Sequence, residues 1–116
     1  MRFFFPALVC LLVAAPVHAT GGVICRTAGS RPIEAFIVIS HTIVPSVVSV
    51  RLLDSGRYVP VHLAQSWLSP SELRLDLVDL NAVRHELRLR VDRKGRMYEG
   101  SLWRAGERRW ARCREG

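Results

Sequence analysis

The sequence predicts an all-β domain, and three observations predict it. Apolar and polar residues alternate with a period of two after the first 19 residues, and no segment carries a useful helical stripe. Turn-forming residues separate these segments at the spacing found in barrels and sandwiches. Two cysteines, Cys25 and Cys113, stand near the two ends of the alternating region. We therefore expect an antiparallel meander of about eight strands, closed or nearly closed into a β-barrel, with a β-sandwich as the alternative.

The first 19 residues predict a cleaved secretory signal peptide. Arg2 supplies the positive start, residues 3–13 are nearly all apolar, and Val17-His18-Ala19 offers the small residues that a signal peptidase recognises. Two prolines bracket an apolar run that is short for the roughly 20 residues of a spanning helix. We expect residues 20–116 to form a single exported β domain without a membrane span, located in the periplasm or outside the cell.

An exported domain is located in an oxidising compartment, so Cys25 and Cys113 are predicted to form a disulfide. The third cysteine, Cys10, falls within the signal. Two free thiols or an intermolecular bond are the alternatives. In a meander the pairing requires the first and last strands to be neighbours, because disulfide-bonded Cα atoms lie roughly 4.4–6.8 Å apart. A barrel satisfies this directly, and a sandwich can satisfy it by cross-linking its layers.

The chain is basic, with 17 Lys+Arg against 10 Asp+Glu. Arg2 is the only charged residue of the signal, so the mature domain keeps the remaining excess. Positive charge favours acidic partners: an anionic envelope polymer, a lipid head group or an acidic protein. Nucleic acid is not expected in that compartment. The sequence leaves the oligomeric state open.

The first half of the domain predicts four strands and one irregular connection. The run at 33–39 is apolar and β-branched, which is typical of a covered strand. Residues 54–57 are expected to form a hairpin turn. Pro60 lies within the next strand, so that strand is expected at an edge of the sheet or at a bulge. Residues 64–70, which contain Trp67, are expected to be irregular. The strands are expected at 23–26, 33–39, 47–53 and 58–63.

The second half predicts four strands whose registers can be tested against one another, at 73–77, 86–91, 97–103 and 109–113. Three hairpins are expected. The first turns around Ala82, the second has a tight turn at 92–95, and the third turns at Ala105-Gly106. Together these registers give one apolar face and an outward row of alternating charge. The predicted buried pairs are Leu73–Val91, Leu75–Leu89, Leu77–Leu87, Leu89–Tyr98, Leu87–Gly100, Tyr98–Cys113 and Gly100–Ala111. The predicted outward row is Asp76, Arg88, Glu99 and Arg112.

Gly95 also suits a three-residue turn with a bulge, and that alternative register would turn Met97, Glu99, Ser101 and Trp103 inward. It would bury Glu99 without a visible partner, which is costly. The first register is therefore preferred.

No constellation of catalytic residues stands out, so an enzyme is not expected. His41, His62 and His85 lie in three separate segments without metal-ligand spacing. No Gly-x-Ser-x-Gly elbow and no glycine-rich phosphate cradle occur. We expect no catalytic residues, no metal and no cofactor.

One outward surface is a candidate binding face. In the preferred register Ser101, Trp103, Arg108, Trp110 and Arg112 share the outer side of the last two strands. An indole there could stack on a sugar, and an arginine could meet an acidic group. The alternative is a solvated sheet on which Arg108 merely lies over Trp103. Trp67 is a second candidate, or a plug for the barrel end.

Two functions follow as hypotheses: a non-enzymatic binding module for an anionic envelope component, and a protein inhibitor of an enzyme. A structural accessory of the envelope is a third reading. Small size, a signal peptide, antiparallel strands and a disulfide near the ends resemble the small periplasmic lysozyme inhibitors. The Ser55-Gly56-Arg57-Tyr58 tetrapeptide is similar to elements of an inhibitor loop in that family, but the accompanying Trp-x-Lys-Gly segment does not follow it. The resemblance implies an inhibitory role and assigns no site residues.

Overall fold

The computed structural model describes residues 20–116, so the predicted signal peptide and Cys10 lie outside the described residues. Nine β-strands occupy this part of the chain, and within it no helix is long and apolar enough to cross a membrane. The strands are β1 (Thr20–Thr27), β2 (Ile33–Ser40), β3 (Ser46–Asp54), β4 (Arg57–Val59), β5 (His62–Leu68), β6 (Glu72–Val78), β7 (His85–Lys94), β8 (Met97–Arg104) and β9 (Glu107–Glu115).

The all-β prediction is confirmed, and the strands form one strongly curled half-barrel sheet. Its order is β4-β3-β2-β1-β9-β8-β7-β6-β5, with every pair antiparallel. The ladder ends at β4 and β5, which are consecutive in the chain and separated only by Pro60 and Val61. Strand β3 contacts β5 across this gap. The strands form a single sheet, whereas the sandwich alternative requires two sheets packed face to face.

The predicted disulfide is confirmed and lies inside the seam between the first and last strands. Cys25 of β1 and Cys113 of β9 are directly opposite each other, with Cα atoms 3.9 Å apart. Both side chains are buried. Because β1 and β9 occupy the middle of the strand order, the bond joins the two halves of the sheet.

The core lines the concave face of the sheet, as period-two alternation requires. Leucines of β6 and β7 meet isoleucines of β2 across it. The largest fully buried side chains are Ile33, Ile37, Leu52, Leu73, Leu75, Leu77, Leu87, Leu89 and Leu102.

The half-barrel has two different ends. At the first, which we call the Arg104 end, Arg104 points inward and is largely buried. Its Nε donates to Asp54 Oδ2 at 2.7 Å, and its Nη1 donates to the backbone oxygen of Glu86 at 3.0 Å. The opposite end, which we call the Ile43 end, is formed by residues 41–45, residues 69–71, the β7–β8 turn and Glu115.

Two of the three predicted hairpin registers are confirmed. Leu75 pairs with Leu89 and Asp76 with Arg88 between β6 and β7. Tyr98 pairs with Cys113 between β8 and β9. The loop between β6 and β7 centres near Ala82, which has a positive φ of 57°.

The predicted β7–β8 register is wrong by four residues. Leu89 pairs with Leu102 rather than Tyr98, and Lys94 pairs with Met97. The turn therefore has Gly95 and Arg96 at its centre, with Gly95 at a φ of 66°. This is the place of glycine in a type II′ hairpin turn. Because the shift is an even number, the predicted inner and outer faces survive, and the bulged alternative is also wrong.

The predicted irregular connection at 64–70 is wrong for most of its length, and this accounts for the ninth strand. Residues 62–68 form β5, which pairs with β6 around a register shift between Leu63 and Gln65. The single strand predicted at 58–63 is divided at Pro60, since β4 ends at Val59 and β5 begins at His62, and both pieces lie at the edges of the sheet as the proline predicted. Trp67 thus lies in a strand rather than in a loop.

Candidate binding face

All three tryptophans of the chain lie on the outer side of strands β5 to β9. Trp67 and Trp110 are 57% and 54% exposed, while Trp103 is half-buried. Arginines of β6, β7 and β9 occupy the positions between them. We call this surface the tryptophan–arginine face. Its members are Trp67, Arg74, Arg88, Arg90, Ser101, Trp103, Arg108, Trp110 and Arg112.

One row of this face crosses five strands. Trp67 is opposite Arg74, Arg74 is opposite Arg90, Arg90 is opposite Ser101, and Ser101 is opposite Trp110. Neighbouring strands lie about 4.8 Å apart, so the backbone positions of the two tryptophans are separated by about 19 Å along the curled sheet. The row therefore has an exposed aromatic ring at each end and two guanidinium groups between them.

A second row runs beside the first, toward the Arg104 end. Gln65 is opposite Asp76, which is opposite Arg88, and this arginine is followed by Trp103 and Arg108. Arg88 Nε donates to Asp76 Oδ1 at 3.0 Å. The second row repeats the combination of indole and guanidinium with one compensating carboxylate.

The five residues predicted as a face share the outer side of β8 and β9, and Arg108 makes a hydrogen bond besides its position over Trp103. Arg108 Nε donates to Ser101 Oγ at 2.8 Å, although Arg108 is directly opposite Trp103. Ser101 is 8% exposed, because neighbouring side chains cover it on the outer surface. The cation–π contact of this face joins other residues: Arg74 Cζ lies 6.0 Å from the centre of the Trp67 ring.

Carboxylates hold several of these arginines without covering them. Glu72 accepts from Arg74 at 2.8 Å and from Arg90 at 3.2 Å, and Arg112 lies 3.4 Å from Glu99. The side chains of Arg74, Arg90 and Arg112 remain 51%, 62% and 69% exposed. Exposed ion pairs contribute only about 0–1 kcal/mol, so a ligand can compete for these guanidinium groups.

The ion pair between Glu72 and Arg74 favours the charged form of both residues. The hydrogen bond from Arg74 lowers the pKa of Glu72, and Arg90 acts in the same direction. Glu72 in turn raises the pKa of Arg74.

Two surface depressions flank the rows. One, of about 520 Å³, lies beside Trp67 and is bordered by Arg74, Arg88 and Arg90. The other, of about 720 Å³, lies beside Trp110 on the β1 side and is bordered by arginines of β1 and β9. Each exposed indole thus stands at the edge of a basic depression that a ligand chain can enter.

Sequence reasoning missed three members of the face, Arg74, Arg88 and Arg90, as binding residues. Two of them were predicted only as strand residues, and Arg88 was placed in a neutralising charge row. That row is broken: Arg88 is opposite Trp103, and Glu99 is opposite Asp92. The tetrapeptide that resembles an inhibitor loop lies away from the face, at the β3–β4 hairpin of the Arg104 end.

Comparisons with family models, with curated proteins and with solved structures found no match to this chain. Functional inference for this protein therefore depends on the geometry and chemistry of its surfaces.

Proposed function

We propose that the protein is an exported, non-enzymatic binding module whose tryptophan–arginine face takes an extended anionic polymer of the cell envelope. One observation carries the proposal: the five-strand row in which the exposed Trp67 and Trp110 bracket Arg74 and Arg90.

The chemistry of the row suits a chain with flat apolar faces and acidic substituents. An indole offers a large rigid surface for stacking on a sugar ring. A guanidinium group presents a planar fork of donors that matches a carboxylate or a phosphate. Since the row crosses the strands, a ligand lying along it would meet the first indole, both arginines and the second indole in turn.

The fold supports a rigid platform for such contacts. Ser101 and Arg108 are tied by their hydrogen bond, and β8 and β9 lie next to the disulfide-linked seam. Side chains that are already ordered lose less entropy on binding.

The test uses residues 20–116 and two polyanions, polygalacturonate and inorganic polyphosphate, with neutral dextran as the uncharged control. Because all three indoles lie on the face, binding is expected to change intrinsic tryptophan fluorescence. Affinity should fall when NaCl is raised from about 50 to 300 mM, since salt screens exposed charge contacts.

Variants locate the contact. Trp67→Ala and Trp110→Ala should each weaken binding by roughly fivefold, the effect of losing about 1 kcal/mol of aromatic contact. Arg74→Gln and Arg90→Gln should weaken it and reduce its salt dependence. The matched control is Arg51→Gln, an exposed arginine of β3 outside the face, which should leave affinity unchanged. Equal losses in Arg51→Gln and Arg90→Gln, or no binding to either polyanion, would contradict the proposal.

Enzyme inhibition is the second candidate, and the β3–β4 hairpin favours it. Tyr58 is 64% exposed beside the tight Ser55-Gly56 turn, and Ser55 N donates to Pro32 O at 2.8 Å. A rigid tip with an exposed aromatic ring can enter a cleft, and the positive charge favours an enzyme with an acidic cleft over a basic lysozyme. Titration against acidic and basic muramidases tests this: inhibition unaffected by Tyr58→Ala excludes the hairpin as the inhibitory element.

A further inference from the structure

A loop at the Ile43 end presents apolar side chains directly to solvent. Ile43 is fully exposed and Val44 is 75% exposed. The loop is shaped by its own residues, since Thr42 Oγ1 donates to Val44 O at 2.8 Å and Pro45 follows. Two adjacent β-branched residues held at a loop tip are not explained by the core, which they do not enter.

The apolar tip stands beside an apolar mouth of the half-barrel. A depression of about 460 Å³ opens at this end, and its inner wall is made by core side chains that reach the rim. These are Val23, Ile39, Leu68 and Tyr98. Tip and mouth together form one apolar surface around the end of the sheet.

Cations surround this surface. Arg93, Lys94 and Arg96 are exposed in the β7–β8 hairpin, and Arg114 is exposed near the end of β9. Arg93 and Glu115 border the mouth itself, and Asp92 is exposed beside the same hairpin. Cations therefore predominate around the rim, where they can meet negatively charged groups.

One of these cations is held in a fixed place. Arg93 Nη1 donates to the Tyr98 hydroxyl at 3.3 Å, and Nε donates to Gly95 O at 2.9 Å. The guanidinium carbon lies 5.5 Å from the centre of the Tyr98 ring. Tyr98 is buried, so it anchors Arg93 to the core while the charge of Arg93 stays exposed at the rim.

We propose that the Ile43 end docks on the surface of an anionic lipid bilayer. Ile43 and Val44 enter the boundary between head groups and acyl chains, and Arg93, Lys94 and Arg96 contact the acidic head groups. An apolar tip with a basic surround is the combination that gives interfacial binding, and charge complementarity selects anionic lipid.

The opposite end of the molecule provides the contrast. Leu80 and Val83 are also exposed, at 56% and 82%, in the loop between β6 and β7. Among the described residues of that end, Arg104 pairs with Asp54 and Glu86, so an ion-paired cluster stands where the Ile43 end has its apolar mouth. Exposed apolar residues alone therefore do not distinguish the two ends, whereas the surface behind them does.

The test is co-sedimentation of residues 20–116 with vesicles of equal parts phosphatidylglycerol and phosphatidylcholine, compared with pure phosphatidylcholine. Binding is expected with the anionic vesicles and should weaken as salt rises. Ile43→Ser with Val44→Ser should reduce the partition coefficient on the order of tenfold or more. Lys94→Gln with Arg96→Gln should reduce it roughly 25-fold at low salt, about fivefold for each cation.

The matched control is Leu80→Ser with Val83→Ser, which removes similar exposed residues from the Arg104 end and should leave vesicle binding unchanged. Circular dichroism of each variant verifies that the sheet is intact. Absence of binding to anionic vesicles overturns the proposal, as does an equal loss in the control and the Ile43–Val44 variant. Uptake of single lipid molecules without vesicle binding overturns it too, because it would assign the mouth to a soluble ligand.

The side chains assigned to the bilayer contact are not members of the tryptophan–arginine face. They are Ile43, Val44, Arg93, Lys94 and Arg96. Trp67→Ala with Trp110→Ala should therefore abolish most polymer binding and leave vesicle binding unchanged. If those tryptophan variants instead abolish vesicle binding while the Ile43–Val44 variant has no effect, the membrane contact belongs to the tryptophan–arginine face and the present proposal fails.

Discussion

Removing the Cys25–Cys113 disulfide is expected to cost roughly a third or more of a typical small domain's stability. The two cysteines are 88 residues apart in the sequence. In the chain-entropy model, a closed loop of that length removes about 15 cal/mol/K from the unfolded state, which is about 4.6 kcal/mol at 25 °C. Domains of this size unfold with only about 5–15 kcal/mol, so the loss is a third or more of the total.

The location of the bond increases its importance for cooperativity. Strands β1 and β9 are the middle strands of the order, so one half of the sheet pairs with the other only through them. Once the cross-link is absent, the two halves are held by the β1–β9 hydrogen bonds and by the packing of the core. We expect amides of β1 and β9 to exchange with solvent much faster than in the oxidised protein.

The assay is urea unfolding of three samples: oxidised protein, the same protein with a reductant present throughout, and Cys25→Ala with Cys113→Ala. The reduced protein loses the cross-link and keeps both buried sulfur atoms, so its difference from the oxidised protein isolates the chain effect. The alanine variant adds the loss of two buried sulfur atoms and should be less stable again. Oxidised and reduced proteins that differ by less than about 1 kcal/mol would refute the calculation.

Three further changes test other parts of the fold. Gly100→Ala should destabilise by about 1–3 kcal/mol, because its Cβ would lie 2.8 Å from Val91 Cα. Gly29→Ala is the control: its added Cβ would have no atom within 4 Å, so the substitution should cost only the backbone strain of a positive φ. Arg104→Met should cost about 1–3 kcal/mol by removing the hydrogen bonds of one half-buried guanidinium group to Asp54 and Glu86, and the loss should shrink in a background that already carries Asp54→Asn. The hydrogen bond from Arg104 lowers the pKa of Asp54 in the folded state. As the pH falls, the unfolded state therefore binds a proton at this carboxylate before the folded state does. In urea melts the advantage of wild type over Asp54→Asn should be complete above about pH 5, decline as the pH falls through the ordinary aspartate pKa of about 4, and vanish below the lowered pKa of the folded state. An advantage that grows on acidification would contradict this sign.

How far the sequence could predict this fold depends on how each strand is stabilised. The β6–β7 and β8–β9 registers follow from residues close in the sequence, since Leu75 and Leu89 alternate with polar neighbours around a short turn. Strand β5 lacks such a pattern. It exists because Leu63 and Leu68 pair with leucines of β6 around a register shift, a tertiary effect that its own composition does not signal.

The candidate site was predictable only where one hairpin contains it. Ser101, Trp103, Arg108, Trp110 and Arg112 all lie in β8 and β9, so alternation alone puts them on one side. Adding Trp67 requires the correct registers of four consecutive strand pairs, from β5 to β9. An error in any one of them displaces the row.

The four-residue shift at Gly95 decides the chemistry of the face. In the predicted register Arg88 would stand opposite Glu99. The acidic and basic side chains of the outer row would then alternate and pair with one another. In the observed register Arg88 stands opposite Trp103 and Arg90 opposite Ser101. Aromatic and hydroxyl groups thus take the positions next to the arginines, whose outer donors remain exposed. The turn residue Gly95, far from the centre of the face, therefore determines whether these arginines form a closed charge ladder or keep their outer donors exposed.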